Sequence, residues 1–110
     1  MDFPGLPCGM IDWANEPSET LPGETGTATA RTRRVGDLQL RLVDYSAGYL
    51  ADHWCDKGHV LLVVAGSLVI EHRDGRRFAL ATGATWHVAD HGAPAHRVVC
   101  EHGATVFILD

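Results

Sequence analysis

The sequence predicts an all-β protein with a single domain. A chain of 110 residues is too short to build two ordinary hydrophobic cores. Short β-branched and alternating apolar runs recur along it, separated by turn residues every roughly six to twelve residues, as in a β-sandwich or β-barrel. No segment has the apolar stripe of an amphipathic helix. A jelly-roll barrel closed around an interior cavity fits these features best.

The strands are expected from residue 27 onward, where the apolar period becomes two. Asp74-Gly75 is a strong signal for a two-residue hairpin turn. His102-Gly103 is expected to separate the last two strands. The predicted strands cover residues 38–43, 59–64, 67–73, 76–81, 85–89, 96–101 and 104–109.

The beginning of the chain has a different composition. Residues 1–26 contain four of the five prolines together with four glycines, which predicts an extended arm and not a helix. We expect this arm to belong to the same unit as the barrel of residues 27–110, because it is too short to be a separate domain. The first residues lack the basic segment and apolar core of a secretory signal, so a cytoplasmic location is the expectation.

Charge and hydropathy exclude several classes of partner. Nine Lys and Arg against fourteen Asp and Glu give a net charge of −5, which disfavours nucleic acids and anionic membranes. No stretch approaches the about 20 apolar residues that a membrane span needs. Three cysteines are too few and too scattered for a disulfide framework. The expected partner is therefore a small molecule held inside the barrel.

Four residues are candidate metal ligands. His53, Cys55 and His59 lie in the run Asp-His-Trp-Cys-Asp-Lys-Gly-His, and His96 follows in Pro-Ala-His-Arg. On a strand, His53 and Cys55 share one face because their positions differ by two. If residues 56–58 form a three-residue hairpin loop, His59 lies opposite Cys55 and projects to the same side.

His96 is predicted to face the interior as well. It shares a strand face with Val98 and Cys100, which look like core residues. A metal would also explain why several imidazoles are buried together, since buried polar groups otherwise need hydrogen-bond partners. The other histidines are assigned to packing or to solvent. They are His72, His87, His91 and His102.

The donor set indicates a divalent transition metal. Imidazoles and a thiolate suit zinc, iron, nickel or copper, whereas magnesium and calcium prefer oxygen ligands. Whether Cys55 ligates is left open, because a thiol also packs inward as a small apolar group. The answer matters, since four protein ligands on zinc close a tetrahedral site and three leave a position for substrate.

These motifs resemble the cupin superfamily. The usual first cupin motif runs from a glycine to a His-x-His pair, a glutamate and a further glycine. Here the corresponding residues are Gly48, His53-Trp54-Cys55, His59 and Gly66. The second motif is matched loosely, from Gly83 through Gly92 to His96. Cysteine thus replaces the second histidine of the usual pattern, and histidine replaces the glutamate.

The chain also resembles a subgroup of small bacterial cupins with an Asp-His-Cys-Trp type motif. The motif here reads Asp52-His53-Trp54-Cys55, and the likeness extends over residues 12–110. It implies a cupin-type jelly roll, a metal held by the four candidate ligands, and a homodimer formed through the sheet and the N-terminal arm. It implies no settled activity, because cupins include enzymes, binding proteins and storage proteins.

Two functional hypotheses follow. The first is a metal-dependent enzyme acting on a small organic molecule. The alternative is a non-catalytic cupin that binds a small ligand or senses metal or oxidants, with Cys55 as the group that responds to oxidation. A barrel that has lost its metal is a third possibility. The sequence indicates neither the substrate nor the reaction.

Overall fold

The chain folds into antiparallel β-structure around one apolar core. The computed structural model describes residues 3–110. Apart from one 3-10 turn at Trp13–Asn15, the regular structure in this range consists of strands. They are β1 (Glu19–Pro22), β2 (Thr27–Val35), β3 (Leu38–Leu50), β4 (His59–Gly66), β5 (Leu68–His72), β6 (Arg77–Leu80), β7 (Thr85–Val88) and β8 (His96–Leu109).

Strand β8 organises the sheet. It pairs with β3 along one edge, and with both β4 and β5 along the other. The main path runs β1-β2-β3-β8-β4-β7, and β6 attaches through β5. The all-β class is therefore confirmed. The expected closure of the barrel is wrong, since β1 pairs only with β2, and β7 only with β4, among the described strands.

Two local predictions are corrected by the strand pairing. The two strands expected on either side of His102-Gly103 are one continuous strand, because β3 pairs with it in register across that point, Ala47 with His102 and Tyr45 with Ala104. The pairing is irregular on the opposite edge of β8 instead, where the register between β8 and β4 shifts. A hairpin at Asp74-Gly75 does join β5 to β6, but its loop has three residues, 73–75, and not the expected two, because His72 pairs with Arg76.

The second correction concerns the expected hairpin at residues 56–58. Strand β3 ends at Leu50, and residues 51–58 form a loop that leads to β4. His59 pairs with Val88 of β7 and not with Cys55. The sequence pattern could not show that these residues form a loop, because the loop makes its hydrogen bonds with segments that are distant in sequence. Gly58 donates its N–H to the Asp90 carboxylate.

Alternation along the strands separates an inner face from an outer face. Leu61 and Val63 of β4 and Val106 of β8 are almost fully buried on the inner face. Val60, Leu62 and Val64, the outward residues of β4, are 44%, 37% and 49% exposed.

The arm lies against the outer face. Phe3 and residues 6–11 line a cavity of about 650 Å³ together with Leu38, Leu40, Phe107 and Leu109. The arm also contributes β1, which pairs with β2. The first two residues of the predicted arm lie outside the described range, and the division at residue 26 stays a prediction. No helix within residues 3–110 is long and apolar enough to cross a membrane.

Candidate metal centre

Three of the four predicted ligands converge inside the fold. Cys55, His59 and His96 each place one potential ligand atom within 4.8 Å of the others. The Cys55 Sγ lies 3.6 Å from Nε2 of His59. The rings of His59 and His96 meet edge to face, with centroids 5.3 Å apart. Segments far apart in sequence therefore supply donors to one point.

Backbone pairing brings Cys55 to this point. The Cys55 N–H donates to the His96 carbonyl at 2.8 Å, and the His96 N–H donates to the Cys55 carbonyl at 2.8 Å. This isolated bridge joins the loop of residues 51–58 to the start of β8. Cys55 thus lies opposite His96 and not opposite His59, and the convergence that the hairpin was expected to produce arises from a different pairing.

The neighbour of Cys55 anchors the same loop. The Arg97 guanidinium carbon lies 4.4 Å from the centroid of the Trp54 ring, and that of Arg73 lies 5.4 Å from it. Arg97 also donates from Nε to the Glu71 carboxylate at 2.9 Å. Such cation–π contacts are worth about 0.5–1 kcal/mol at exposed sites. Trp54 therefore restrains the loop on the side away from the donor cluster.

His53 lies outside the cluster. Its side chain is 75% exposed, and its Nδ1 lies 2.7 Å from Asp52 Oδ1. The prediction that it shares a face with Cys55 assumed a strand, whereas these residues belong to a loop, where alternation no longer holds. His53 instead contributes to the lining of the interior cavity, together with Asp52.

Burial lowers the proton affinity of both imidazoles in the cluster. His96 is only 5% exposed. Its desolvation, reinforced by the neighbouring His59 and His72, lowers the pKa of His96 to about 4. Desolvation also lowers the pKa of His59, although a hydrogen bond to Asp110 opposes the shift. Both rings are neutral near pH 7, the form in which histidine binds a metal.

The cluster faces an interior cavity of about 390 Å³. Most of its lining is apolar, including Ile70 and Trp86, and Arg41 and two tyrosines add polar groups. The Tyr45 and Tyr49 rings lie 4.8 Å apart. Burial raises the pKa of Tyr45 well above its ordinary value, so its hydroxyl stays protonated and available as a donor. An apolar cavity with a few polar groups is typical of small-molecule sites.

Comparison with known proteins shows likeness only at the level of structure. No family model matches the chain, and no curated protein matches it. The polyketide cyclase RemF from Streptomyces resistomycificus is similar with a TM-score of 0.72 at 14% identity, over 93% of this chain and 78% of that one.

Two further solved structures carry the fold name. A sugar phosphate isomerase from a cupin superfamily, from Silicibacter pomeroyi, has a TM-score of 0.69 at 14% identity, over 92% of this chain and 74% of that one. A cupin-2 domain containing protein from Shewanella frigidimarina has a TM-score of 0.61 at 20% identity, over 74% of this chain and 78% of that one. This chain has the cupin fold. The finer likeness to cupins with an Asp-His-Cys-Trp type motif stays a prediction.

Two polar residues beside the cluster were not singled out by the sequence analysis. Asp110 accepts a hydrogen bond from His59 Nδ1 at 2.8 Å. His72 is buried, is bonded through Nδ1 to the Pro94 carbonyl at 2.7 Å, and is paired across the strands with His96. Its alternation with Ile70 could have indicated an inward position. No local signal marked Asp110, which follows the last strand and meets His59 only through the tertiary fold.

The donor set fits a transition metal. In a tetrahedral site with bonds of about 2.0–2.3 Å, nitrogen and sulfur donors lie about 3.3–3.6 Å apart. The 3.6 Å between Cys55 Sγ and His59 Nε2 meets that requirement. The Lys57 N–H also donates to the sulfur, at 3.5 Å. One cysteine sulfur and two neutral imidazoles match the preferences of zinc, iron, nickel and copper.

Proposed function

We propose that Cys55, His59 and His96 hold one divalent transition metal, and that the protein binds and transforms a small organic molecule in the adjoining cavity. The convergence of the three donor atoms within 4.8 Å, beside a cavity of about 390 Å³, carries this proposal. Zinc, iron, nickel and copper all suit the donors. When bound, such a metal supplies Lewis acidity, and iron or copper would add redox chemistry.

The number of protein ligands supports catalysis over a purely structural site. With His53 outside the cluster, three side chains hold the metal and at least one coordination position is left for water or substrate. The Tyr45 hydroxyl and the Arg41 guanidinium, both in the cavity lining, would orient polar groups of the substrate. The apolar remainder of the lining would pack against its body and exclude water.

A non-catalytic sensor is the second candidate, and the surroundings of Cys55 favour it. Cys55 is partly exposed, so an oxidant can approach it, and its sulfur accepts from the Lys57 N–H. A sensor would bind metal in the same way, but Cys55 would be oxidised by low doses of peroxide and the metal released. An enzyme would turn over a small molecule and leave Cys55 reduced.

Replacing Cys55 with serine tests the metal assignment directly. Protein purified without added metal is expected to contain one equivalent of a transition metal by elemental analysis. After exchange for cobalt(II), it should show a thiolate-to-cobalt charge-transfer absorption that Cys55→Ser lacks. Cys8→Ser is the matched control, because Cys8 is exposed on the arm, and it should keep the absorption. An unchanged spectrum in Cys55→Ser would remove the thiolate from the donor set.

We also propose that the protein is a homodimer that pairs through the outer face of β4. Val60, Leu62 and Val64 form an uncharged row on a chain of net charge −5, so two copies meet there with the least repulsion. A twofold axis would place such a row against itself. A cytoplasmic location and a bacterial origin stay predictions.

The Leu62→Lys variant is expected to run as a monomer in light scattering coupled to size-exclusion chromatography, where the wild type runs as a dimer. The reason is that a twofold interface would bring the two introduced lysines together. Ser18→Lys, at an exposed position just before β1, is the control for a change of net charge, because β1 is separated from β4 by three strands in the sheet. A monomeric wild type at micromolar concentration would rule the dimer out.

A further inference from the structure

One carboxylate beyond the donor cluster contacts a predicted metal ligand. The Asp110 Oδ2 atom lies 2.8 Å from Nδ1 of His59. Both side chains are largely buried, with 17% and 12% of their surface exposed. The opposite ring nitrogen of His59, Nε2, is the one that lies 3.6 Å from Cys55 Sγ. The imidazole therefore spans the distance between the carboxylate and the donor cluster.

The chemistry of this contact decides which nitrogen carries the proton. An ionised carboxylate only accepts hydrogen bonds, so Nδ1 of His59 must be the protonated nitrogen of the pair. In a neutral imidazole, Nε2 then keeps its lone pair, which is the form that can bind a metal through that atom. The opposite tautomer would set a lone pair against the carboxylate and present an N–H to the cluster.

Asp110 is itself held from two further directions. Arg41 donates to Oδ2 at 2.8 Å, and Gln39 donates from its side-chain amide to Oδ1 at 3.1 Å. The backbone of Asp110 also exchanges hydrogen bonds with the backbone of Gln39, at 2.6 and 2.9 Å. The guanidinium balances the carboxylate charge. The start of β3 therefore fixes the carboxylate in the orientation that His59 requires.

We propose that Asp110 is a positioning residue that holds His59 in the Nδ1–H tautomer and so presents Nε2 to the metal. The part that concerns metal rests on the function proposed above, whereas the tautomer does not. A hydrogen-bonded carboxylate behind a ligating histidine fixes the orientation of the ring and raises its basicity. Loss of such a partner typically weakens metal binding about 10–100-fold.

The tautomer is measured in the metal-free protein at pH 8, by long-range proton–nitrogen correlation spectra of protein with labelled histidine. His59→Asn assigns the signals. The wild type is expected to carry the proton on Nδ1 of His59, and Asp110→Ala to show a large shift toward the Nε2–H form. This readout is independent of overall packing. A wild-type protein with the proton on Nε2 of His59 overturns the inference.

Metal affinity is the second readout, measured by competition with a chelator. Asp110→Asn keeps the size of the side chain and should bind metal about 10–100-fold more weakly than the wild type. Asp44→Asn removes the same charge from an exposed carboxylate that bonds the Thr105 hydroxyl, and should bind within twofold of the wild type. Equal affinities for Asp110→Asn and the wild type would also overturn the inference.

The two proposals fail in different ways. If the wild type binds no transition metal, the proposed function fails, and the tautomer of His59 in the metal-free protein still decides the role of Asp110. If Asp110→Ala does not fold, as judged by circular dichroism, the wild-type tautomer and the affinity of Asp110→Asn decide it. If the protein binds metal but its His59 tautomer is the same with and without Asp110, the metal site is supported and the positioning role of Asp110 is rejected.

Discussion

Replacing His96 with alanine is expected to abolish stoichiometric metal binding while the fold persists. The ring is 5% exposed, and it supplies one of three donors that lie within 4.8 Å of one another. Two remaining donors hold a transition metal poorly, so metal affinity should fall by more than the about 100-fold that losing a hydrogen-bond partner of a ligand can cost. Elemental analysis after dialysis against a fixed metal concentration measures the loss, and circular dichroism checks the fold.

Two other histidines serve as controls for this result. His87 is exposed on β7, so His87→Ala should keep full metal occupancy. The exposed position of His53 leads to the same expectation for His53→Ala. Metal lost in His53→Ala would return that residue to the ligand set, as the cupin resemblance implied. Full occupancy in His96→Ala would contradict the site as a whole.

Replacing Gly66 with alanine is expected to destabilise the fold severely. Gly66 has φ of 77°, in the left-handed region, and an added Cβ would lie 2.3 Å from the Gly103 carbonyl oxygen and 3.0 Å from the Ala104 Cα. These atoms belong to the backbone of β8, so relief requires the two strands to move apart. Overpacking of this kind typically costs about 1–3 kcal/mol beyond the backbone strain. Urea unfolding followed by tryptophan fluorescence measures the loss.

Gly48 provides the matched comparison. It has φ of 74°, close to that of Gly66, but nothing lies within 4 Å of a Cβ added there. Gly48→Ala therefore carries only the conformational penalty, about 1–2 kcal/mol. The difference in the free energy of unfolding between the two variants isolates the contact with β8. If both variants lose the same stability, the close approach of β4 to β8 at Gly66 is wrong.

The strands that the sequence predicted well are those whose pattern is local. The alternation of β4, and the Asp74-Gly75 turn between β5 and β6, depend on side-chain parity and turn geometry over a few residues. The predicted break at His102-Gly103 failed because the partner strand β3 continues across it. A glycine in one strand does not indicate whether a partner strand that is distant in sequence continues to pair across it.

The candidate metal site also combines features that the local sequence indicated with features that depend on distant residues. Cys55, His59 and His96 were selected for their residue types and spacing, and their potential ligand atoms lie within 4.8 Å of one another. The hairpin argument that joined Cys55 to His59 was wrong, because His59 pairs with Val88. The strand parity that placed His53 beside Cys55 does not apply, because residues 51–58 form a loop. Asp110 gave no signal, because its partner His59 is 51 residues away in sequence.

Residue chemistry and strand periodicity were therefore sufficient for the all-β class and for selecting three side chains that the fold brings together, whereas a metal of the zinc, iron, nickel or copper type stays a prediction. Four features were decided only by the tertiary structure: the pairing of Cys55 with His96, the exposed side chain of His53, the open sheet, and the carboxylate bonded to His59. Periodicity and turn signals act over neighbouring residues, whereas these features depend on hydrogen bonds between segments that only the tertiary structure brings together.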